Sequence, residues 1–293
     1  MNSETVRAKT QVWYASGYGC SQEIFKRADV KKELDKRMMI GEYQKIGYRA
    51  FYNVTKIRKV AMSRTVEYIE SEAFRGCTML RCVELTANVK RIGAGAFYGC
   101  LRLKEIVLPR SIDRIEEKTF KRCRALERLN LNRAINYIGA NAFLDCETLE
   151  EIVIPEQIEE IHFRTFYGCK NLTKVVLPNA LKTINREAFS KCGIKWIKLN
   201  RELEYIGEAA FSKCRELEYI EIPESVSQID KWDFHGCNHL KKVVFKGEPK
   251  KLGDWIFNKN NVTVVCRKGS MLEEYCALFG YQTEALKNYE VEE

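Results

Sequence analysis

The amino-acid sequence predicts a repeat solenoid, because one residue type returns at an almost constant interval along most of the chain. Ten phenylalanines recur, and every interval between neighbours is 23 residues except one of 22. A period of this size is typical of stacked arrays, in which each unit buries its apolar face only against adjacent units. We therefore expect one continuous array. The repeat phenylalanines are Phe51, Phe74, Phe97, Phe120, Phe143, Phe166, Phe189, Phe211, Phe234 and Phe257.

Other fixed positions predict the strands and turns of each repeat. A branched aliphatic residue stands eight residues before most of the phenylalanines, and an isoleucine stands five before. A cysteine follows three residues after eight of them. Next comes an alternating run, as in residues 149–155, which is typical of a β-strand. A proline often ends the run, because it has no amide proton for a β-ladder. The repeat cysteines are Cys77, Cys100, Cys123, Cys146, Cys169, Cys192, Cys214 and Cys237.

The composite pattern Ile-Gly-x-x-Ala-Phe-x-x-Cys-x-x-Leu-x-x-Ile-x-Ile-Pro resembles the BspA-type leucine-rich repeat. It is clearest in residues 92–109 and 138–155, and the resemblance covers roughly residues 44–266. It implies a curved, right-handed array with a parallel β-sheet on the concave side and short strands and turns on the convex side. It also implies a binding or adhesion role, often at the surface of bacteria or parasitic protists.

The first 43 residues do not follow the repeat, and solenoids need a cap that shields the end of the core. We expect residues 1–43 to form a basic N-terminal cap or arm. A helix is predicted from Gln22 to Met39, with Ser21 as its N-cap.

The other end of the chain is expected to form a second cap. Residues 44–266 are assigned to about ten repeats, and residues 267–293 to a C-terminal cap with an acidic tail. The amphipathic segment 271–279 is expected to cover Trp232 and Trp255, which stand two residues before the last two repeat phenylalanines.

The cysteine column predicts reduced, buried thiols. Neighbouring strands lie about 4.8 Å apart, which is within disulfide range. Equivalent side chains point in parallel, however, and this disfavours bridging. We expect the thiols to act as small apolar fillers, with disulfide formation or metal binding as the alternatives.

Catalytic, metal and cofactor signals are weak. Cys20 stands outside the column and before the predicted helix, where a thiolate is favoured, so a thiol enzyme or enzyme accessory is a low-ranking alternative. His235, Cys237 and His239 are close together but lack the second half of a zinc site. No phosphate-binding loop, His-Glu-x-x-His or Gly-x-Ser-x-Gly motif occurs. We therefore predict no enzyme, no metal and no cofactor.

Positive charge is concentrated near the N-terminus. Residues 1–66 contain 14 lysines and arginines against 6 acids, a net charge of +8 within the chain's total of +9. A basic surface attracts nucleic acid, but acidic residues interrupt this one as they would on a solvated cap. An acidic protein partner and nucleic acid remain alternatives for this segment.

The outward positions of the strand run are the candidate binding residues, since alternate residues of a strand point away from the core. Outward apolar and aromatic side chains on one sheet favour a protein-binding surface, with the alternative that valine simply suits a strand and that single exposed apolar residues are normal. Trp196 and Tyr219 are the strongest contact candidates. The predicted set is Glu84, Val107, Arg128, Val153, Lys174, Val176, Trp196, Tyr219, Glu221 and Val244.

The sequence thus predicts a non-enzymatic scaffold that binds a macromolecular partner, most simply a protein, through its concave face. A surface adhesin that binds a host is the alternative that the resemblance implies. The first residues lack the apolar stretch of a secretory signal, and no run of 18 apolar residues predicts a membrane span. The expected location is the cytoplasm, with an extracellular or cell-surface location as the alternative from the resemblance.

Overall fold

The chain winds between two faces, each built of short parallel strands. The structure is a computed structural model, and it describes residues 13–15, 24–30, 37–258 and 262–286. In most layers of the solenoid, one strand belongs to the first sheet and a second strand, on the opposite side of the layer, belongs to the second sheet. The row of turns around the repeat phenylalanines closes each layer.

The first sheet contains the strand run that follows each repeat cysteine. Its pairs are parallel, and its hydrogen bonding is interrupted in two places, after β9 and after β14. At the first break, a bridge between Glu105 and Arg128 and a hydrogen bond from the Glu127 amide to the Lys104 carbonyl connect the layers. The strands of this sheet are β1 (Trp13–Ala15), β3 (Arg37–Ile40), β5 (Lys59–Met62), β7 (Cys82–Glu84), β9 (Glu105–Ile106), β12 (Glu151–Val153), β14 (Lys174–Val176), β16 (Trp196–Ile197), β18 (Tyr219–Ile222), β20 (Lys242–Phe245), β22 (Thr263–Cys266) and β23 (Gln282–Ala285).

The second sheet contains the isoleucine column that precedes each phenylalanine. Each strand has two residues, of which the second points into the core in nearly every case. The strands are β2 (Ile24–Phe25), β4 (Lys45–Ile46), β6 (Tyr68–Ile69), β8 (Arg91–Ile92), β10 (Arg114–Ile115), β11 (Tyr137–Ile138), β13 (Glu160–Ile161), β15 (Thr183–Ile184), β17 (Tyr205–Ile206), β19 (Gln228–Ile229) and β21 (Lys251–Leu252).

The predicted N-terminal helix is wrong in the described part of residues 22–39. That segment contains β2, a 3-10 turn at Arg27–Asp29 and the start of β3. Phe25 pairs with Ile46 and is fully buried. An open sheet edge leaves amide and carbonyl groups unpaired, so pairing with β4 and β5 outweighs the helix propensity of the charged residues. Ser21 and Cys20 lie outside the described residues.

A continuous stack of phenylalanine rings forms the centre of the core. Phe25 begins the stack and the ten repeat phenylalanines extend it, with ring centroids 4.7 to 5.8 Å apart and planes within 12° of parallel. Offset parallel stacking is a favoured aromatic geometry. Tyr43 lies edge-on to Phe25 at one end, and Tyr281 lies edge-on to Phe257 at the other. Tyr281 thus covers the C-terminal end of the stack, whereas Tyr43 stands eight residues before Phe51, as Val66 does before Phe74, and so belongs to the second layer.

The cysteine column is buried, as predicted, and it has a polar role that the sequence did not reveal. Each of the eight thiols donates a hydrogen bond of 3.1 to 3.2 Å to the carbonyl oxygen of the phenylalanine in the preceding repeat. Cys146, for example, donates to Phe120. The eleven described cysteines form no disulfide. Each of these carbonyl groups also accepts the amide of the residue three positions later, as Phe120 does from Cys123 at 3.0 Å. The thiol therefore fills space and adds a second hydrogen bond, one that joins neighbouring layers.

We predict that these thiols do not react in the folded protein at pH 8. Burial raises the pKa of both Cys77 and Cys214 to about 12, so little thiolate forms at that pH. Titration with a thiol reagent should leave the eight column thiols unmodified in the native state and modify them after denaturation without reductant. Recovery of mostly oxidised cysteines from the denatured, unreduced protein would contradict the prediction.

Each phenylalanine is flanked by two residues in a left-handed conformation. The residues two before and two after it have φ between +53° and +81° throughout the described repeats. Between these positions the phenylalanine amide donates to the next layer, as from Phe51 to Ala73 at 2.7 Å. Most of the left-handed positions carry a side chain, although this conformation costs about 1–2 kcal/mol for residues other than glycine. The turn therefore retains local strain that the stack stabilises.

Replacing Ala209 by glycine should stabilise the protein by about 0.5–1 kcal/mol. Ala209 has φ of 57°, so the substitution relieves strain at the loss of one methyl group and some extra unfolded-state entropy. The neighbouring Ala210→Gly change is the matched control, because Ala210 is fully buried and lies outside the left-handed region. Urea unfolding should move in opposite directions for the two variants, and equal destabilisation would refute the strain argument.

The amphipathic segment 271–279 forms the helix α1 (Met271–Phe279). Ser270 caps its first turn by accepting from the Glu273 amide, and Gly280 ends it with φ of 73°. The Tyr275 hydroxyl donates to the Gly253 carbonyl at 3.0 Å, which ties the helix to the last layer. The helix and the following strand β23 close this end of the array.

Candidate protein-binding face

The outward side chains of the first sheet form the candidate binding face. Val153 and Val176 are paired on β12 and β14, and Trp196 and Tyr219 are paired on β16 and β18. These four side chains are exposed, with Trp196 63% and Val153 60% accessible to solvent. They occupy four consecutive strands of the first sheet. We call Val153, Val176, Trp196 and Tyr219 the apolar patch.

Val107 is the most exposed of the predicted valines, at 80%, but it lies apart from the apolar patch. In the first sheet, a bridge at Arg128 represents the layer between β9 and β12, and the outward position next to Val107 in that layer is Asn130. The face therefore has a polar interruption between Val107 and Val153.

The charged members of the predicted set are exposed, and three of them have ionic partners on the face. Glu84 pairs with Lys59, and Lys174 Nζ lies 3.5 Å from Glu151. Glu221 lies 3.6 Å from Lys246 Nζ and accepts a hydrogen bond from the Tyr219 hydroxyl. Exposed pairs of this kind contribute little stability. The pairs of Lys174 and Glu221 neutralise charge beside the apolar patch, whereas the pair of Glu84 lies several layers away from it.

Val244 is not an exposed binding residue: only 4% of it is accessible. It lies between Glu221 and Val265 on the neighbouring strands. Lys242 and Lys246 stand two residues to either side of it on the same face and reach across to Glu284 and Glu221. Long lysine stems cover apolar surface while their ammonium groups stay in water, which accounts for the difference from the prediction.

The two tryptophans near the C-terminal end are only partly covered by α1. The ring of Trp255 contacts Phe279 edge-on at 5.2 Å. Trp232 is 42% exposed, and Lys231 Nζ lies 4.4 Å from the centre of its ring. The expected packing against the cap therefore holds for Trp255 and is absent among the described contacts of Trp232.

Asp233 is a buried carboxyl in a column that is mostly alanine. Its Oδ1 atom accepts from the Ala210 amide at 2.8 Å, whereas Oδ2 is buried without a hydrogen-bond partner in the described structure. Burial raises the pKa of Asp233 well above its usual value, and nearby Asp230 raises it further. Tyr205 donates to Asp230 at 2.6 Å. The folded protein therefore binds a proton at the Asp233 carboxyl more tightly than the unfolded chain does.

Replacing Asp233 by alanine should stabilise the protein by about 1–3 kcal/mol at neutral pH, because it removes a poorly paired buried group. The raised pKa means that the wild type loses stability as the pH rises above the ordinary carboxyl range near 4. The advantage of Asp233→Ala should thus be larger at pH 7.5 than at pH 5 in urea unfolding. Asp233→Asn should show no such titration, and an advantage independent of pH would contradict the argument.

The candidate metal ligands Cys237 and His239 have separate partners in the structure. Cys237 is buried and donates to the Phe211 carbonyl, while His239 lies beside Glu216 at 3.7 Å. Within the described residues, no group of three or more histidine, cysteine or acidic side chains is arranged to hold a metal ion. No helix in the described ranges has the length and apolarity required to cross a membrane.

The layers, the two parallel sheets and the repeat spacing define a leucine-rich-repeat solenoid. The model of the BspA type leucine rich repeat region matches residues 44–173 and 159–276, with six copies. This chain belongs to the BspA-type leucine-rich repeat family, whose solenoid fold is typically non-enzymatic. No curated protein matches the chain.

Solved structures of bacterial leucine-rich repeat proteins have the same fold. The T. pallidum protein TpLRR is 28% identical, with 54% of this chain and 76% of that chain covered and a TM-score of 0.52. A Bacteroides ovatus ATCC 8483 protein is 22% identical, with 84% and 88% covered and a TM-score of 0.60. The pneumococcal vaccine antigen PcpA is 17% identical, with 86% and 79% covered and a TM-score of 0.50.

Proposed function

We propose that this chain is a protein-interaction scaffold that binds its partner through the apolar patch of the first sheet. The observation that carries the proposal is the exposure of Trp196, at 63%, directly beside Tyr219 on the next strand. Tryptophan and tyrosine are enriched among the residues that dominate protein interfaces. A large aromatic residue held on a regular strand also loses little conformational freedom on binding.

The surroundings of the patch support a protein partner. Exposed ion pairs such as Lys174–Glu151 lie next to it, so a polar rim borders apolar side chains. This arrangement matches the core and rim of protein interfaces. The strands fix the spacing of the four side chains, and recognition then depends on surface complementarity with no chemical step.

The test compares two variants by quantitative proximity labelling in the native host. Trp196→Ala/Tyr219→Ala should lose its partner, because truncating an interface anchor costs about 2 kcal/mol or more, roughly a 30-fold loss of affinity. Trp232→Ala removes another exposed tryptophan outside the patch and is the matched control. Thermal unfolding of the purified variants verifies that both fold.

Retention of the partner by the Trp196→Ala/Tyr219→Ala variant would refute the role of the patch. Equal losses in both variants would show that the interaction does not distinguish the two faces, and would also count against the proposal. The expected result is a loss confined to the patch variant.

A further inference from the structure

A groove on the turn face, away from the first sheet, is the strongest unassigned feature of the molecule. The turn face consists of the residues from three before to two after each repeat phenylalanine. The groove has a volume of about 350 Å³ and is lined by residues from four consecutive layers. Its lining includes Tyr48, Arg75, Ala94, Tyr98, Lys118 and Lys121.

The groove exists because two layers have small residues where their neighbours have large ones. Three residues before the phenylalanine, the layers carry Tyr48, then Ser71 and Ala94, then Glu117. Backbone hydrogen bonds, such as that from Glu72 to Ala94, hold these layers in register. Layers repeat about every 4.8 Å, so Tyr48 and Glu117 lie roughly 14 Å apart. Side-chain thickness leaves about 10 Å, which accommodates one extended chain with its side chains.

One wall of the groove alternates aromatic rings and cations. Arg75 lies 4.6 Å from the ring centre of Tyr98 and 5.7 Å from that of Tyr52. Lys121 Nζ lies 5.4 Å from the Tyr98 ring. Arg49 extends the series, at 4.9 Å from both Tyr48 and Tyr52. Cation–π contacts of this kind hold the side chains in place before any ligand binds.

The charge of the groove is positive and unevenly compensated. Glu72 is paired with both Arg49 and Arg75, and the pKa of Glu72 is lowered despite the opposing effect of its desolvation. By contrast, the Nζ atom of Lys118 lies 4.0 Å from a carboxylate oxygen of Glu117, which is the long end of the ion-pair range. Among the described residues, Lys121 makes no ion pair, and its ammonium group lies over the neutral ring of Tyr98. Lys121 is therefore the ammonium group most available to an anion, and Lys118 is held only by its long contact with Glu117.

We propose that this groove binds an extended acidic peptide segment of a partner protein. Lys118 and Lys121 would bind its carboxylates, and Tyr48 and Tyr98 would contact its side chains. The Glu117 carboxylate would accept hydrogen bonds from the amides of the peptide, a donor that a phosphate backbone lacks. The site lies on a different face from the apolar patch and does not depend on it.

The test measures fluorescence anisotropy of a labelled (Glu-Ser)5 peptide in 50 mM salt. The wild type should bind it with Kd below about 1 mM, and Lys118→Glu/Lys121→Glu should weaken binding about tenfold or more through lost attraction and added repulsion. Lys191→Glu/Lys213→Glu makes the same charge change elsewhere on the turn face. It should alter Kd by no more than about twofold, since screening limits remote charges.

A second variant fills the groove without changing charge. Ala94→Phe is tolerated by precedent, since Phe163 occupies the equivalent position of another layer. It should also weaken binding about tenfold, because it occupies the peptide's volume. Trp196→Ala/Tyr219→Ala should bind the peptide as the wild type does, which separates this proposal from the function proposed for the first sheet.

Three results would overturn the proposal. The first is no binding of (Glu-Ser)5 at millimolar concentration. The second is an equal loss in the groove variant and the Lys191→Glu/Lys213→Glu control, which would indicate attraction by overall charge. The third is tighter binding of a dT10 oligonucleotide that is lost in Ala94→Phe, which would assign the groove to single-stranded nucleic acid.

Discussion

The stack of phenylalanine rings is the constraint on which the rest of this structure depends. Each layer contributes one ring, and no layer can bury its own ring without the next. The strands on either side have only two to four residues in most layers, too few to be stable as isolated sheets. Their register follows from the stack, since equivalent residues of adjacent layers pair in both sheets. The outward faces therefore present side chains at intervals that the core determines.

Such a core is apolar at its centre but must still pair the backbone groups that surround it. The cysteine column gives the phenylalanine carbonyls a second donor in addition to a backbone amide, and the left-handed residues on either side orient the amides toward the next layer. Two departures from the repeat pattern leave buried oxygen atoms without a hydrogen-bond partner. Asp233 introduces a carboxyl where an alanine is usual, and Asn200 keeps a buried oxygen without a partner although its amide donates to Asn179 and Leu181. The regular repeat therefore serves largely to give buried polar groups their hydrogen-bond partners.

Periodicity made the repeats, the strand run and the inward cysteines predictable, because all of them depend on spacing along the chain. The first layer escaped the same reasoning, since Phe25 stands 26 residues before Phe51 and charged residues around it favour a helix on composition. Alternation predicted that Val244 faces outward, but not that two lysine stems would cover it. The turn-face groove was missed because its contacts, such as Arg75 on Tyr98, join residues of neighbouring layers. Aligning the repeats by their phenylalanines would have placed those residues side by side.

The interior of the phenylalanine stack repeats one kind of ring contact, and an edge-on tyrosine closes the stack at its C-terminal end. Tyr281 ends the stack at Phe257, while each interior ring meets a ring like itself. Gain or loss of one 23-residue unit in the interior would therefore leave each kind of contact unchanged and alter only the length. The groove occupies the layers before Val153 and the apolar patch begins with it. A unit inserted between them would lengthen their separation by about 4.8 Å. Duplication of one repeat in the gene would therefore change the distance that any ligand in contact with both sites must span.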